Sequence, residues 1–287
     1  MLTYDDALAR LAAAARAEED PAINPVCRGF ALTHGGRTAR CVLLIHGYTN
    51  CPQQFRAFAG LLHGRGHSAY VPRLPRHGLA DRLTTALAGL TGAELLAWLE
   101  GALAVAHGLG ERVDVMGISA GANLALYAAQ HRPDVHQAVA LAPVLGTPAI
   151  APWAVPALAR VAAVAPNMFR WWDPQLREQR NGLPHAYPRW ATRSLGQIVA
   201  LGLDVMRAAG RRAPAARDIL VVTNPADEAV TSAPAERLVA RWRSHGAPVR
   251  AHSFPAELGL IHDVIDPGQA RQRVELVYPA LLELMGA

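Results

Sequence analysis

The sequence predicts an α/β fold built on a mostly parallel sheet, and three observations carry that prediction. Short apolar or β-branched runs alternate with stretches whose hydrophobic residues recur at helical spacing, the pattern of successive βα units. The alternation breaks between Leu145 and Leu203, as an insertion into such a sheet would break it. The chain has 287 residues, 51% of them hydrophobic and 18% charged, which suffices for a large core and argues against disorder.

Taken in order, an Ala-rich helix over residues 4–18 precedes the core. Strands are expected at Cys41–Ile45, Ser68–Val71, Arg112–Met116, Gln137–Leu141, Asp218–Thr223 and Pro248–Phe254. Between them, Gln53–Gly64 places Phe55, Phe58, Leu61 and Leu62 on one helical face. Ala93–His107 does the same with Leu95, Leu96, Leu99, Leu103 and Ala106. Ser119–His131, Ala233–Ser244 and Gly268–Met285 repeat the pattern. From Leu145 to Leu203 prolines and tryptophans (Trp153, Trp171, Trp172, Trp190) replace strands. The expected organisation is therefore a core from 1–144 and 204–287, with 145–203 as a cap over the sheet's carboxyl edge. That edge is where α/β sheets bind ligands.

The formal net charge is +5, and every basic residue other than histidine is arginine. The arginines are scattered. The tightest group, Arg211, Arg212 and Arg217, falls in a Pro- and Ala-rich loop, so nucleic acid is not an expected partner. Three cysteines, Cys27, Cys41 and Cys51, form an odd, sparse set with no metal-ligand spacing. They are expected to stay unpaired, Cys51 as a small packing residue, and to suit a reducing, cytoplasmic compartment. Residues 1–20 lack the basic and apolar blocks of a signal peptide. The most apolar stretch, Leu141–Met168, is interrupted by Pro143, Pro148, Pro152, Pro156, Pro166 and Arg160, so stable membrane insertion is not expected. No metal or organic cofactor is implied, and the oligomeric state is not written in the sequence.

Gly117-Ile118-Ser119-Ala120-Gly121 matches Gly-x-Ser-x-Gly. The pattern alone is weak in a chain rich in small residues, and its setting strengthens it. The strand Val113-Asp114-Val115-Met116 precedes it, and the helix Asn123–Gln130 follows. Such a turn bends sharply, and flanking glycines remove the Cβ atoms that would clash. The serine hydroxyl then stands at a helix N-terminus, where free N–H groups favour developing negative charge. The competing reading is an ordinary N-cap serine, but a cap does not need both glycines.

On these residues the chain resembles the α/β-hydrolase superfamily, in particular bacterial carboxylesterases and monoacylglycerol-lipase-like serine hydrolases. The likeness spans roughly Arg40–Leu145 and Ile219–Ala287. It implies an α/β-hydrolase fold, a mostly parallel central sheet flanked by helices, with a helical cap insertion. The segment Val42-Leu43-Leu44-Ile45-His46-Gly47-Tyr48-Thr49 looks like the family's oxyanion loop. The resemblance assigns the two oxyanion N–H groups to Tyr48 and Ala120, and it gives His46 the task of bracing the loop. It places the acid at Asp227, whose spacing to Val230 fits the family's Asp-x-x-Val, with Glu228 as the rival carboxylate. The base falls at His262, after the last strand, in the order serine, acid, histidine. His252 lies inside the strand pattern and is expected to be structural. The loop Pro72–Gly78 carries Arg76 where the family often has glycine, and its arginines are expected to form structural salt bridges, the alternative being contact with an acidic substrate group.

The implied activity is hydrolysis of a small-molecule carboxylic ester through an acyl-enzyme, with Ser119, Asp227 and His262 as nucleophile, acid and base. The apolar insertion suggests a substrate with an apolar acyl chain. Tyr48, Trp153, Trp171 and Trp172 are candidates for lining its pocket; the alternative is that the tryptophans form the cap's own small core. The same trio suits an amidase, peptidase or acyltransferase. An aminopeptidase would need an acidic cap, and this one has Asp173 and Glu178 but is otherwise basic. A non-catalytic binding protein on the same scaffold is the reading from another class.

Overall fold

A computed structural model describes residues 2–175, 177 and 182–287. Helix α1 (Tyr4–Ala17) opens the chain with a reciprocal cap, in which the Thr3 hydroxyl accepts from the Asp6 amide and the Asp6 carboxylate accepts from the Thr3 amide. The chain continues through β1 (Phe30–Leu32), β2 (Thr38–Ile45), α2 (Arg56–Gly64), β3 (Ser68–Val71), α3 (Gly92–Leu109), β4 (Gly110–Ile118), α4 (Ala120–His131) and β5 (Gln137–Leu141). Then come α5 (Val155–Val164), β6 (Phe169–Trp171), β7 (Arg189–Ala191), α6 (Thr192–Ala209), β8 (Asp218–Thr223), α7 (Ala233–Ser244), β9 (Val249–Ser253) and α8 (Val274–Met285).

Seven strands form one sheet in the order β1-β3-β2-β4-β5-β8-β9. Every pairing is parallel except β1 with β3. Alternate side chains of the central strands feed two separate cores. Leu43, Ile45, Val113, Val115, Ala138, Ala140, Ile219 and Val221 pack with α3, α4, α6 and α7. Val42, Leu44, Met116, Ile118, Val139, Leu141, Leu220 and Val222 pack with α2 and α8 on the other face. A strand covered on both faces has no polar alternation to show, which is why β2, β5 and β8 read as continuous apolar runs. At the far end of the sheet Arg40 forms a buried ion pair with Asp114 and donates to Gln137 and to the α8 carbonyls of Met285 (2.9 Å) and Gly286 (3.1 Å). A cation thus satisfies the C-terminus of α8 and ties it to β2 and β4.

The structure departs from the sequence expectations in several places, the added edge strand β1 among them. Cys27 and Cys51 form a disulfide, with Cα atoms 5.2 Å apart, and Cys41 remains a buried free thiol. The odd cysteine count concealed a real pair, and the case for a reducing compartment falls with it. The insertion is not free of strands, since β6 and β7 pair antiparallel within it. Helix α6 runs unbroken from Thr192 to Ala209 and packs on α4 and α5. The last helix begins at Val274 rather than at Gly268; the Asp266 carboxylate, accepting from the Gly268 amide, holds a turn there instead. Among the described residues no helix is long and apolar enough to cross a membrane.

Candidate active site

All three residues of the expected trio follow the carboxyl ends of parallel strands. Ser119 is the single residue between β4 and α4, with φ 56° and ψ −112°. A non-glycine residue there is strained, and the surroundings must hold it. Two glycines make the turn possible: a Cβ on Gly117 would overlap the Gly121 carbonyl, and one on Gly121 would overlap the carbonyl of Ile45. The Ser119 amide donates to the Leu141 carbonyl of β5 at 3.0 Å. Its side chain makes no capping bond to α4, which removes the N-cap reading and leaves the hydroxyl unspent.

Asp227 follows β8 and is buried. Its Oδ1 accepts from the amides of Ala229 (2.8 Å) and Val230 (3.1 Å), and its Oδ2 accepts from His262 Nδ1 at 2.6 Å. A carboxylate can only accept, so the shared proton resides on Nδ1, which in the neutral ring leaves the lone pair on Nε2. The Asp-x-x-Val spacing therefore has a physical meaning: the valine supplies an amide that orients the carboxylate. Glu228 is exposed. Asn224, buried and not singled out by the sequence, joins the two loops. Its Nδ2 donates to the carbonyls of Leu260 (2.8 Å) and Ile261 (3.3 Å), while its Oδ1 accepts from Ala226. His252 lies in β9 edge-on to Phe254, away from this pair in the bonding pattern.

The loop after β2 is built around one peptide unit. The Gly47 carbonyl accepts from the Asn50 amide at 3.3 Å and from His46 Nδ1 at 2.9 Å. The Leu74 amide donates to His46 Nε2 at 3.0 Å, which fixes the tautomer with its proton on Nδ1. Burial, helped by the neighbouring His77, holds the His46 ring far below its usual pKa, so it stays neutral. It braces the loop, as expected. A trans peptide directs its N–H opposite its carbonyl, so pinning Gly47 O also aims the Tyr48 N–H. The other expected donor, Ala120, is the first residue of α4, whose opening amides have no acceptor within the helix.

The loop is also keyed to the insertion. The Tyr48 hydroxyl lies 2.5 Å from Ser194 Oγ and accepts from the Ala191 amide at 3.0 Å. Burial pushes this phenol up to about 12. The Trp172 indole N–H donates to Thr49 Oγ1 (3.0 Å), and the Tyr187 amide donates to the Thr49 carbonyl (2.8 Å). Of the other tryptophans, Trp171 is half-buried in β6, whereas Trp153 is 85% exposed with its ring in solvent. Glu178 lies outside the described residues. Arg76 pairs with Glu94 (2.9 Å) and Arg73 with Glu18 (3.0 Å), so both arginines have structural partners. Arg76 also adopts φ 64°, the left-handed conformation that a glycine at this position would take freely.

An open parallel sheet with a strained serine after β4 and an acid–imidazole pair after β8 and β9 defines an α/β-hydrolase type of architecture. Residues 42–265 match the model of the alpha/beta hydrolase family, and the chain belongs to that family. It is 32% identical over 114 residues to the thermostable monoacylglycerol lipase of Bacillus sp. (strain H-257), a match spanning 38% of this chain and 43% of that enzyme. Two solved structures share the fold. The monoacylglycerol lipase of Paleococcus ferrophilus superposes with a TM-score of 0.68 at 18% identity, over 90% of this chain and 98% of that one. A soluble variant of the Saccharomyces cerevisiae monoglyceride lipase superposes at 0.67 with 14% identity, over 90% of each chain.

Proposed function

We propose that the protein is a serine esterase that cleaves carboxylic esters with an apolar acyl chain through an acyl-enzyme. The observation that carries the reading is the uncapped, strained Ser119 at the same sheet edge as the 2.6 Å Asp227–His262 hydrogen bond. In this reading Ser119 Oγ attacks the ester carbonyl while His262 Nε2 takes its proton, and Asp227 holds the tautomer and stabilises the imidazolium. The Tyr48 and Ala120 amides stabilise the oxyanion, a contribution of about 3 kcal/mol for each donor. As the alcohol leaves it takes the proton from Nε2. A water, deprotonated by the same nitrogen, then attacks the acyl carbon and restores Ser119. The monoacylglycerol lipases among the similar proteins favour a glyceride-like monoester, with the acyl chain passing beneath the cap near Trp172 and Tyr48.

A fluorophosphonate probe tests the chemistry. The native protein is expected to label stoichiometrically and Ser119→Ala not at all; equal labelling of the two rejects the nucleophile. A chain-length series of p-nitrophenyl esters tests the acyl preference. Activity should peak beyond acetate, and a steady fall from acetate onward rejects an apolar acyl site.

A further inference from the structure

The loop after β2 turns on four residues, 47–50, closed by the 3.3 Å bond from the Asn50 amide to the Gly47 carbonyl. Thr49 holds the third place of this turn at φ 64°, the left-handed region that favours glycine, so the turn is strained and needs anchors. Trp172 and Tyr187 of the insertion anchor Thr49. Asn50 anchors the end of the turn. It is buried, and both ends of its side-chain amide are committed: Oδ1 accepts from the Cys51 amide at 2.8 Å, and Nδ2 donates to the Asp263 carboxylate at 3.2 Å. Acceptance from a backbone amide identifies the oxygen and leaves the NH2 group toward the carboxylate. Asp263 is the residue after His262, and it is held within its own loop by Gln269 Nε2 (2.8 Å) and by the Asp266 amide (3.1 Å).

We infer that Asn50 is a positioning residue, which through Asp263 holds the turn bearing the Tyr48 amide in register with the loop bearing His262. The inference rests on the esterase reading. In that reading the oxyanion donor lies two residues before Asn50, and the base lies one residue before Asp263. Strands β2 and β9, which lead into the two loops, are separated in the sheet by β4, β5 and β8. The sheet alone would relay a displacement through those intervening strands, whereas one side-chain bond joins the loops directly. A misplaced donor costs little in substrate binding and much in rate, because the oxyanion forms only as the carbonyl is attacked.

The test exchanges the two side chains. Asn50→Asp keeps the acceptor for the Cys51 amide but sets a carboxylate against Asp263. Its kcat on a p-nitrophenyl ester should fall roughly 10- to 100-fold with KM nearly constant. Affinity for a trifluoromethyl ketone, which forms an oxyanion on the serine, should fall by the same factor. Adding Asp263→Asn again sets one donor against one acceptor, with Gln269 flipping its amide to match. It should return kcat and ketone affinity to within about threefold of native. A purely structural role would lower the melting temperature and leave kcat and ketone affinity in place. A folded Asn50→Asp protein with native kcat, or with reduced kcat and native ketone affinity, therefore overturns the inference, and so does a loss that the exchange leaves unrelieved. Should either variant not fold, Asn50→Ser serves. Its hydroxyl is too short to reach Asp263, so the same fall in kcat at constant KM is expected, and native kcat overturns the proposal. Absence of labelling and turnover in the native protein would instead reject the esterase reading itself.

Discussion

The Cys27–Cys51 disulfide offers the most quantitative prediction. It closes a 24-residue separation and joins the segment before β1 to the residue that follows Asn50 in the loop after β2. In the chain-entropy account, a loop of that length removes about 12 cal/mol/K from the unfolded ensemble, or about 3.5 kcal/mol at room temperature. Unfolding entropy scales with chain length, at about 2 cal/mol/K per residue, so a chain of this size should lose about 6 °C of melting temperature on reduction. The assay is thermal unfolding followed by circular dichroism, with and without tris(carboxyethyl)phosphine, for the native protein and for Cys27→Ala. The native protein should show the difference and the variant should not. Thiol titration in denaturant without reductant should count one thiol, that of Cys41. Three titratable thiols together with a melting temperature indifferent to reductant would refute the pairing.

Three further outcomes are expected. Asp227→Asn should keep its fold and lose roughly 10⁴-fold in kcat, because the asparagine amide favours the wrong imidazole tautomer; steady-state ester hydrolysis measures this. Arg40→Leu should destabilise by about 3–5 kcal/mol in urea, since it leaves the Asp114 carboxylate buried without its cation, and the double variant with Asp114→Leu should recover part of the loss. His77 is buried among His46, Tyr48, Tyr187 and Arg73, and burial lowers its pKa to about 4. Its unfolded form takes up a proton first as pH falls below about 6.5, so stability present above that pH should decline toward pH 4 by up to about 3 kcal/mol. Urea unfolding across that window should show a flatter acid limb in His77→Gln, and parallel limbs would exclude His77 as a source.

How far the sequence could be read depended on whether a feature was local. The central strands were visible because burial on both faces makes them uniformly apolar. Ser119, Asp227 and His262 were visible because each is held by backbone within a few residues: the flanking glycines, the Val230 amide, and the turn after β9. Strand β1 escaped because its three half-buried residues show no periodicity, and β6 and β7 because tryptophan and proline dominate their surroundings. The disulfide and the Asn224 bridge escaped for another reason. Their partners are distant in sequence, and an asparagine in a loop reads equally well as a solvated turn residue.

The bonds from Tyr48 to Ser194 and Ala191, and from Thr49 to Trp172 and Tyr187, tie the insertion into the loop after β2 and make it more than a detachable cover. Transplanting a foreign cap to change substrate preference would cut these links, so chimeras should trade turnover for scope unless the donor cap reproduces a hydroxyl at 194 and an indole at 172. On the esterase reading, altering selectivity by substituting side chains within the resident insertion preserves the keying and is the sounder route to redesign.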